Sequence, residues 1–274
     1  MNFLALPSLS TRILRLSTPV NTISMRSDHI EVITEDSTLR ADAVILTTSL
    51  GCLQRKTVSF EPCLPPRIQA AITNLGFGNL EKLFLKFEAA WWQHQEEQTD
   101  SPQIFTFLPP ITLPPEAPKR LLKMFSLAAL PAYPQPVLAV YLADSWTTYC
   151  AFLSNDAIKS FFEIHYLPRL PNYSRDYPIV DVLRTNWSAD PWTYGSYTHI
   201  PVGSRNGYED LKVLGEKITG PEQGIGGLWF AGEHAGTGDV GTVNGAMMSG
   251  RNAAIKVLEA FGEDVGGVEC HFTQ

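Results

Sequence analysis

Leu228-Trp229-Phe230-Ala231-Gly232-Glu233-His234, followed by Gly241-Thr242-Val243-Asn244-Gly245-Ala246, is the stretch on which the fold turns. Gly227–Ala231 reads as a short apolar strand and Gly232–Gly241 as a glycine-rich loop. A helix is expected from about Thr242 to Ala260. Val243, Ala246, Met247, Gly250, Ala254, Val257, Leu258 and Phe261 recur at helical spacing there, and Gly262 is a stop signal. A strand that feeds a helix through glycines presents free backbone N–H groups and the positive end of the helix dipole. Such a terminus favours an anion or an electron-rich group, and glycines let a ligand approach the backbone closely. An ordinary strand-to-helix turn has the same pattern, so the residues alone leave both readings open.

Upstream, Leu80–Phe87 reads as a strand with Lys82, Phe84 and Lys86 on one face and Leu83, Leu85 and Phe87 on the other. Gly76–Asn79 before it reads as a turn, and Pro66–Leu75 as a helix with Ile68, Ala71 and Ile72 on one side. His29–Thr34 alternates, Asp36–Thr38 is a turn and Ala43–Leu46 is an apolar run, which together suggest a hairpin-like pair. Further strands are expected at 104–108, 123–127, 137–141 and 179–186, and a helix at 155–167. The polar stretch 93–101 and the proline-rich stretches 109–118 and 131–136 are loops.

Trp187-Ser188-Ala189-Asp190-Pro191-Trp192-Thr193-Tyr194-Gly195-Ser196-Tyr197 gathers aromatics at a turn, which serves either core packing or the wall of a binding slot. Lys82 on its own is an ordinary solvated strand lysine. His234 is a lone histidine with no second ligand at metal spacing, so no metal role is assigned.

The chain has 274 residues, 44% hydrophobic and 18% charged, enough for one large or two modest domains. A formal net charge of -7 argues against a nucleic-acid surface, which needs clustered Lys and Arg. The four cysteines are widely spaced with no C-x-x-C pair, which disfavours zinc and a disulfide framework and suits reduced thiols in a cytoplasmic protein. No apolar run reaches membrane-spanning length, so no membrane partner is expected. The opening MNFLALPSLSTRILRLS has the Arg, Ser and Leu of a transit peptide. Ile13, Leu14 and Leu16 nevertheless lead straight into the patterned segment around Val20, as if a domain were entered partway.

Taken together, these motifs resemble the flavin-containing amine oxidase family, in its polyamine oxidase and lysine-specific histone demethylase-like group. The resemblance runs from about Leu6 to Phe261. It implies FAD as cofactor. Glu233, beside Gly232, is placed at the FAD ribose and pyrophosphate, and the backbone of Thr242 and Val243 at the pyrimidine side of the isoalloxazine. Gly76-Phe77-Gly78-Asn79-Leu80-Glu81-Lys82, with Trp91-Trp92 beyond, is similar to the segment that carries the family's lysine at flavin N5, which puts a catalytic role on Lys82. The aromatic run implies Tyr197 as one wall of a substrate slot, with Trp187 and Thr242 also facing substrate and Trp187 and Trp192 also near the cofactor. Leu16–Ile23 resembles the strand whose valine meets the adenine, which nominates Val20. Ala41–Gly51 resembles a buried strand and Pro-Leu-Gly turn, with Ser49 in place of the usual proline.

Complete members of that family begin with a Gly-x-Gly-x-x-Gly turn, and none is found here. Gly76-Phe77-Gly78 does not supply it, and Gly224-Ile225-Gly226-Gly227 precedes a strand. The reading is a C-terminal portion, and weak retention of FAD is expected of it. The expected fold is α/β: a discontinuous FAD-binding part at 1–57 and 206–262, an inserted mixed-sheet substrate part at 58–205, and a tail at 263–274. The resemblance implies oxidation of an amine, foremost a polyamine, to an imine that hydrolyses, with oxygen as electron acceptor and hydrogen peroxide as product. A degenerate paralogue that acts by binding is the alternative, and a histone demethylase-like oxidase a further one.

Overall fold

The computed structural model describes residues 14–93, 104–219, 226–236 and 238–265. The expectations for the N-terminal residues before Leu14, most of the polar stretch 93–101, Gly224-Ile225 and the end of the tail lie outside the described residues. The chain divides into two compact units, one up to Phe77 and again from Tyr197, the other Gly78–Ser196. Residues 58–77 and 197–205, expected within the inserted part, pack with the discontinuous unit.

In the discontinuous unit, β1 (Val20–Met25) pairs antiparallel with β2 (Ile30–Thr34), and β2 with β3 (Thr38–Ala41). On the other edge of β1, β5 (Ser59–Glu61) runs parallel. The hairpin partner of β2 is thus Thr38–Ala41 and not, as expected, Ala43–Leu46. That apolar run is β4, and it pairs in parallel with β13 (Gly227–Phe230), Ala43 opposite Gly227 and Leu46 opposite Phe230. Thr38–Ala41 alternates exposed and half-buried residues, as an edge strand does. In β4, Val44 and Leu46 join the main core of the unit and Ala43 packs with Trp229 and Ala231, while Ile45 is exposed.

Helix α1 (Leu50–Gln54) follows β4, and the Ser49 hydroxyl caps it by accepting from Cys52 N at 3.1 Å. The serine in place of proline therefore has a local structural use. Helix α2 (Pro66–Asn74) buries Ile68, Ala71 and Ile72, as their spacing predicts. Gly76–Gly78 is not the expected turn but a short strand, β6, paired with β12 (Tyr197–His199). A Cβ at Gly76 would meet His199 Nε2 at 2.3 Å, so the missing side chain admits that ring.

In Gly78–Ser196 the sheet order is β11-β7-β10-β9-β8, with every pairing antiparallel. The strands are β7 (Leu80–Lys86), β8 (Ile104–Phe107), β9 (Leu122–Ser126), β10 (Val137–Ala143) and β11 (Asp181–Arg184). One face buries Leu83, Leu85, Leu122, Met124, Leu138 and Val140. These pack in a core with residues of α3 (Ser145–Ala151) and α4 (Asn155–His165) and with Trp91 and Trp92. The alternation in β7 is the one its sequence implies, with one addition: Glu81 is also buried.

The discontinuous unit closes with α5 (Gly207–Leu214) and α6 (Val243–Ala260). Asp210 of α5 is fully buried and accepts from Arg67 and from Asn74 Nδ2 of α2. Helix α6 packs through Ala253, Val257 and Ala260 on Trp229, Ala231 and Ala43. Met248, Leu258 and Phe261 stay exposed. The architecture is α/β, as the sequence indicates.

Candidate functional site

Strand β13 ends at Phe230, and two residues on Gly232 has a φ of +143°, where L side chains are rarely found. A Cβ there would also meet His234 Cε1 at 2.8 Å, so the glycine leaves room for the His234 ring beneath the loop. Gly232 N donates to Ser249 Oγ of α6 at 3.2 Å. His234 is only 1% exposed, and burial drives its imidazole pKa down to about 4, so it packs as a neutral ring. Among the described residues no group of three or more His, Cys, Asp or Glu could hold a metal.

Glu233 is the hinge of this loop. It accepts from Thr198 N at 3.1 Å, from Thr198 Oγ1 at 2.6 Å and from Gly241 N at 2.9 Å. Tyr197 precedes Thr198, and a Cβ on Gly241 would touch Tyr197 Cβ at 3.6 Å. One carboxylate therefore gathers Tyr197, Thr198 and Gly241 at the entrance to α6. Val20 lies at the start of β1, packed against the apolar core of the same unit, and is not among the residues that Glu233 links.

Thr242 caps α6 by accepting from Gly245 N at 2.9 Å, and its hydroxyl donates to Asp239 O at 2.6 Å. Asn244 donates to the Asp239 carboxylate. Thr242, Val243 and Asn244 are all exposed, Val243 to 73%. Val243 N–H and Asn244 N–H thus open the helix toward solvent, with no carbonyl of their own helix in reach. A flavin ring that gains negative charge fits such a terminus. The glycine cradle at 232 and 241 fits close passage of a cofactor.

The second group of expected residues is in Gly78–Ser196. The sheet face away from the core carries Lys82, with Nζ 5.7 Å from the centroid of the Tyr141 ring. Tyr141 in turn lies 4.5 Å from the Phe125 ring. Lys82 is half-buried and Lys86 exposed, so the two lysines differ in surroundings although they share a face. Register sets Leu183, Phe84, Ala139, Phe125 and Ile104 in one row across this face. Trp187 is 41% exposed and Trp192 67%. Neither ring belongs to the buried core of this unit.

The sequence reading missed Glu81. It is 7% exposed and accepts from Thr185 Oγ1, Trp187 N, Ser188 N and Ser188 Oγ. Its signal was in plain view: a carboxylate in phase with Leu83, Leu85 and Phe87 must find donors. Thr198 and Asp239, the partners of Glu233 and Asn244, had no comparable signal.

Residues 7–258 match the profile of flavin containing amine oxidoreductases. Lysine-specific histone demethylase 1 homolog 2 of Arabidopsis thaliana is 31% identical over 250 residues, 87% of this chain and 30% of that protein. Polyamine oxidase 2 of the same plant is 30% identical over 256 residues, 91% of this chain and 46% of that protein. The peroxisomal N(1)-acetyl-spermine/spermidine oxidase of Homo sapiens is 30% identical over 241 residues, 82% and 44% respectively. Among solved structures, cyclohexylamine oxidase from Brevibacterium oxydans superposes with a TM-score of 0.65 at 17% identity, covering 89% of this chain and 49% of that one. That likeness is one of fold. The chain spans less than half the length of each of these proteins.

Proposed function

The chain belongs to the flavin-containing amine oxidoreductases, and from that premise we propose that it carries FAD- and amine-binding elements of an enzyme that oxidises polyamines. The single observation that carries this reading is the open N-terminus of α6 behind the Glu233 hinge. There Thr242 and Val243 are exposed at the positive end of a helix.

Bound FAD supplies the two-electron acceptor that turns an amine into an imine, with oxygen as final oxidant and peroxide as product. Gly232, Glu233, Thr242 and Val243 are the residues we assign to holding it, together with Val20, Trp187 and Trp192. Tyr197, Trp187 and Thr242 are assigned to the amine. Aromatic faces attract a cationic chain, so a polyamine with charged distal nitrogens suits them. The reacting nitrogen itself must be neutral to give up a hydride equivalent. Lys82 brings a cation to the open sheet face, where it orders a water and steadies negative charge. The relatives named for polyamine oxidation support this substrate class.

The relative named as a lysine-specific histone demethylase homolog favours a second reading, in which the amine is an N-methyl group on a peptide lysine. Titrating FAD into the purified chain and following flavin fluorescence tests the cofactor; a saturable quench is expected. Peroxide release from spermine and N-acetylspermine is then compared with release from a methyl-lysine peptide. Release from the polyamines supports the proposal. Release from the peptide alone transfers the assignment to the second reading.

A further inference from the structure

We propose that Glu81 is a positioning residue that locks the Trp187–Ser188 turn onto β7 beside Lys82. The inference rests on the reading of Lys82 and Trp187 as site residues, and it gives them a common anchor. Both Glu81 oxygens are fully engaged. One accepts from Thr185 Oγ1 at 2.5 Å and Trp187 N at 3.1 Å; the other accepts from Ser188 N and Ser188 Oγ, each at 2.9 Å. Two successive backbone N–H groups converging on one anion make a small nest. A carboxylate offers about four acceptor sites, and all are used.

The same carboxylate reaches Lys82 through one hydroxyl. Thr185 Oγ1 donates its proton to Glu81, so its lone pair is free to accept from Lys82 N, at 2.8 Å. Thr185 N donates back to Lys82 O at 3.0 Å. Beyond the turn, the Trp187 carbonyl accepts from Thr193 Oγ1 at 2.8 Å and from Gly195 N at 3.0 Å, which closes the aromatic loop on the residue that Glu81 holds.

Burying a carboxylate is costly unless donors surround it. Here the group that the carboxylate orders is a half-exposed tryptophan, which core packing does not hold in place. A purely apolar residue at position 81 would fill the core but leave the Trp187 and Ser188 N–H groups without their acceptor. Glutamine is the informative substitute. Whichever way its amide is turned, its NH2 meets the N–H of either Trp187 or Ser188, and a backbone N–H cannot turn round to accept.

Amide hydrogen exchange and acrylamide quenching on the full chain test this without any cofactor. In Glu81→Gln, exchange at whichever of Trp187 and Ser188 faces the NH2 should quicken by roughly tenfold, the factor for one lost charge-assisted hydrogen bond. Exchange in β10 should not change. The quenching component assigned to Trp187 by its loss in Trp187→Phe should become more accessible. Unchanged exchange and quenching in folded Glu81→Gln overturn the proposal. If Glu81→Gln does not fold, Thr185→Val is measured instead; faster exchange at Lys82 and Trp187 supports the proposal and unchanged exchange overturns it. FAD titration separates the two claims: loss of affinity in Trp187→Phe with none in a Glu81→Gln chain also counts against Glu81. Unaltered affinity in Trp187→Phe counts against Trp187 as a site residue, while exchange still decides the role of Glu81.

Discussion

Glu233 takes two hydrogen bonds from Thr198, one from its N–H and one from its hydroxyl, and so ties the strand that begins at Tyr197 to the glycine loop that opens α6. The third bond, from Gly241 N, lands on the same oxygen as Thr198 N. Two backbone donors thus share one carboxylate oxygen, and a hydroxyl that can reverse its role faces the other. Glu233 and Glu81 are both clasps, but their donors are distributed differently, and that difference has consequences for substitution.

Glu233→Gln should be tolerated. The amide oxygen can keep both backbone N–H groups while its NH2 faces Thr198 Oγ1, which then accepts. Glu233→Ala strands two backbone donors and should cost about 1–3 kcal/mol. Urea unfolding of both variants checks this, and FAD affinity should fall with Ala more than with Gln. Equal losses in the two would show that the carboxylate charge, and not the geometry of its donors, matters.

Two glycines of α6 should respond to alanine with opposite signs. A Cβ on Gly245 would meet Asp239 O at 2.1 Å, a backbone atom that cannot move aside cheaply. Gly245→Ala should therefore destabilise by about 1–3 kcal/mol, despite the roughly 1 kcal/mol that helix propensity offers. Nothing lies within 4 Å of a Cβ on Gly250, so Gly250→Ala should stabilise by up to about 1 kcal/mol. Thermal unfolding of the two variants beside the unsubstituted chain is sufficient.

His234 makes stability depend on pH. Its folded-state pKa is lowered by burial to about 4, against the ordinary histidine value of 6.5. The unfolded chain therefore binds this proton more readily than the folded one. The contribution is complete above pH 6.5 and is lost progressively as pH falls toward 4. It is on the order of 3 kcal/mol when fully lost. In His234→Gln the decline of unfolding free energy across that window should be shallower. An identical decline would mean that the imidazole is protonated in the fold.

Much of this arrangement was legible because its signals are local. The apolar run Gly227–Phe230, the glycines after it and the spacing from Val243 to Phe261 announce strand, loop and helix without reference to anything distant. The alternation of Leu80–Lys86 likewise gives the face of Lys82 correctly. What was misread depends on partners far along the chain. Ala43–Leu46 reads as the second arm of a hairpin, and only its parallel pairing with Gly227–Phe230, almost two hundred residues on, shows its true partner. Gly207–Leu214 went unnoticed because Asp210 breaks its apolar face, and the partners that permit a buried aspartate, Arg67 and Asn74, belong to another helix. The roles of Glu81 and Glu233 are of the same kind: Glu81 is defined by donors from the distant Thr185–Ser188 segment, and Glu233 by Thr198 of β12 as well as by Gly241 of its own loop.

Lys82 and Lys86 provide the sharpest test of the site, because they share a strand face and differ in setting. Lys82 is half-buried with its ammonium near the Tyr141 ring, while Lys86 is exposed at the end of β7. A lysine kept partly out of water can stabilise developing negative charge far better than one in bulk solvent, where the field is screened. If Lys82 does this for bound flavin, Lys82→Met should slow flavin reduction or reoxidation by roughly tenfold or more, about 1.4 kcal/mol of barrier. Lys86→Met should leave both half-reactions near the unsubstituted rate and change stability by no more than about 0.5 kcal/mol. Methionine keeps the length and apolar stem of lysine, so packing against Tyr141 survives and the charge alone is removed. Stopped-flow measurement of each half-reaction, in flavin-loaded protein, distinguishes the two residues. Equal rates in both variants would make Lys82 a sheet lysine with an aromatic neighbour and no part in the chemistry.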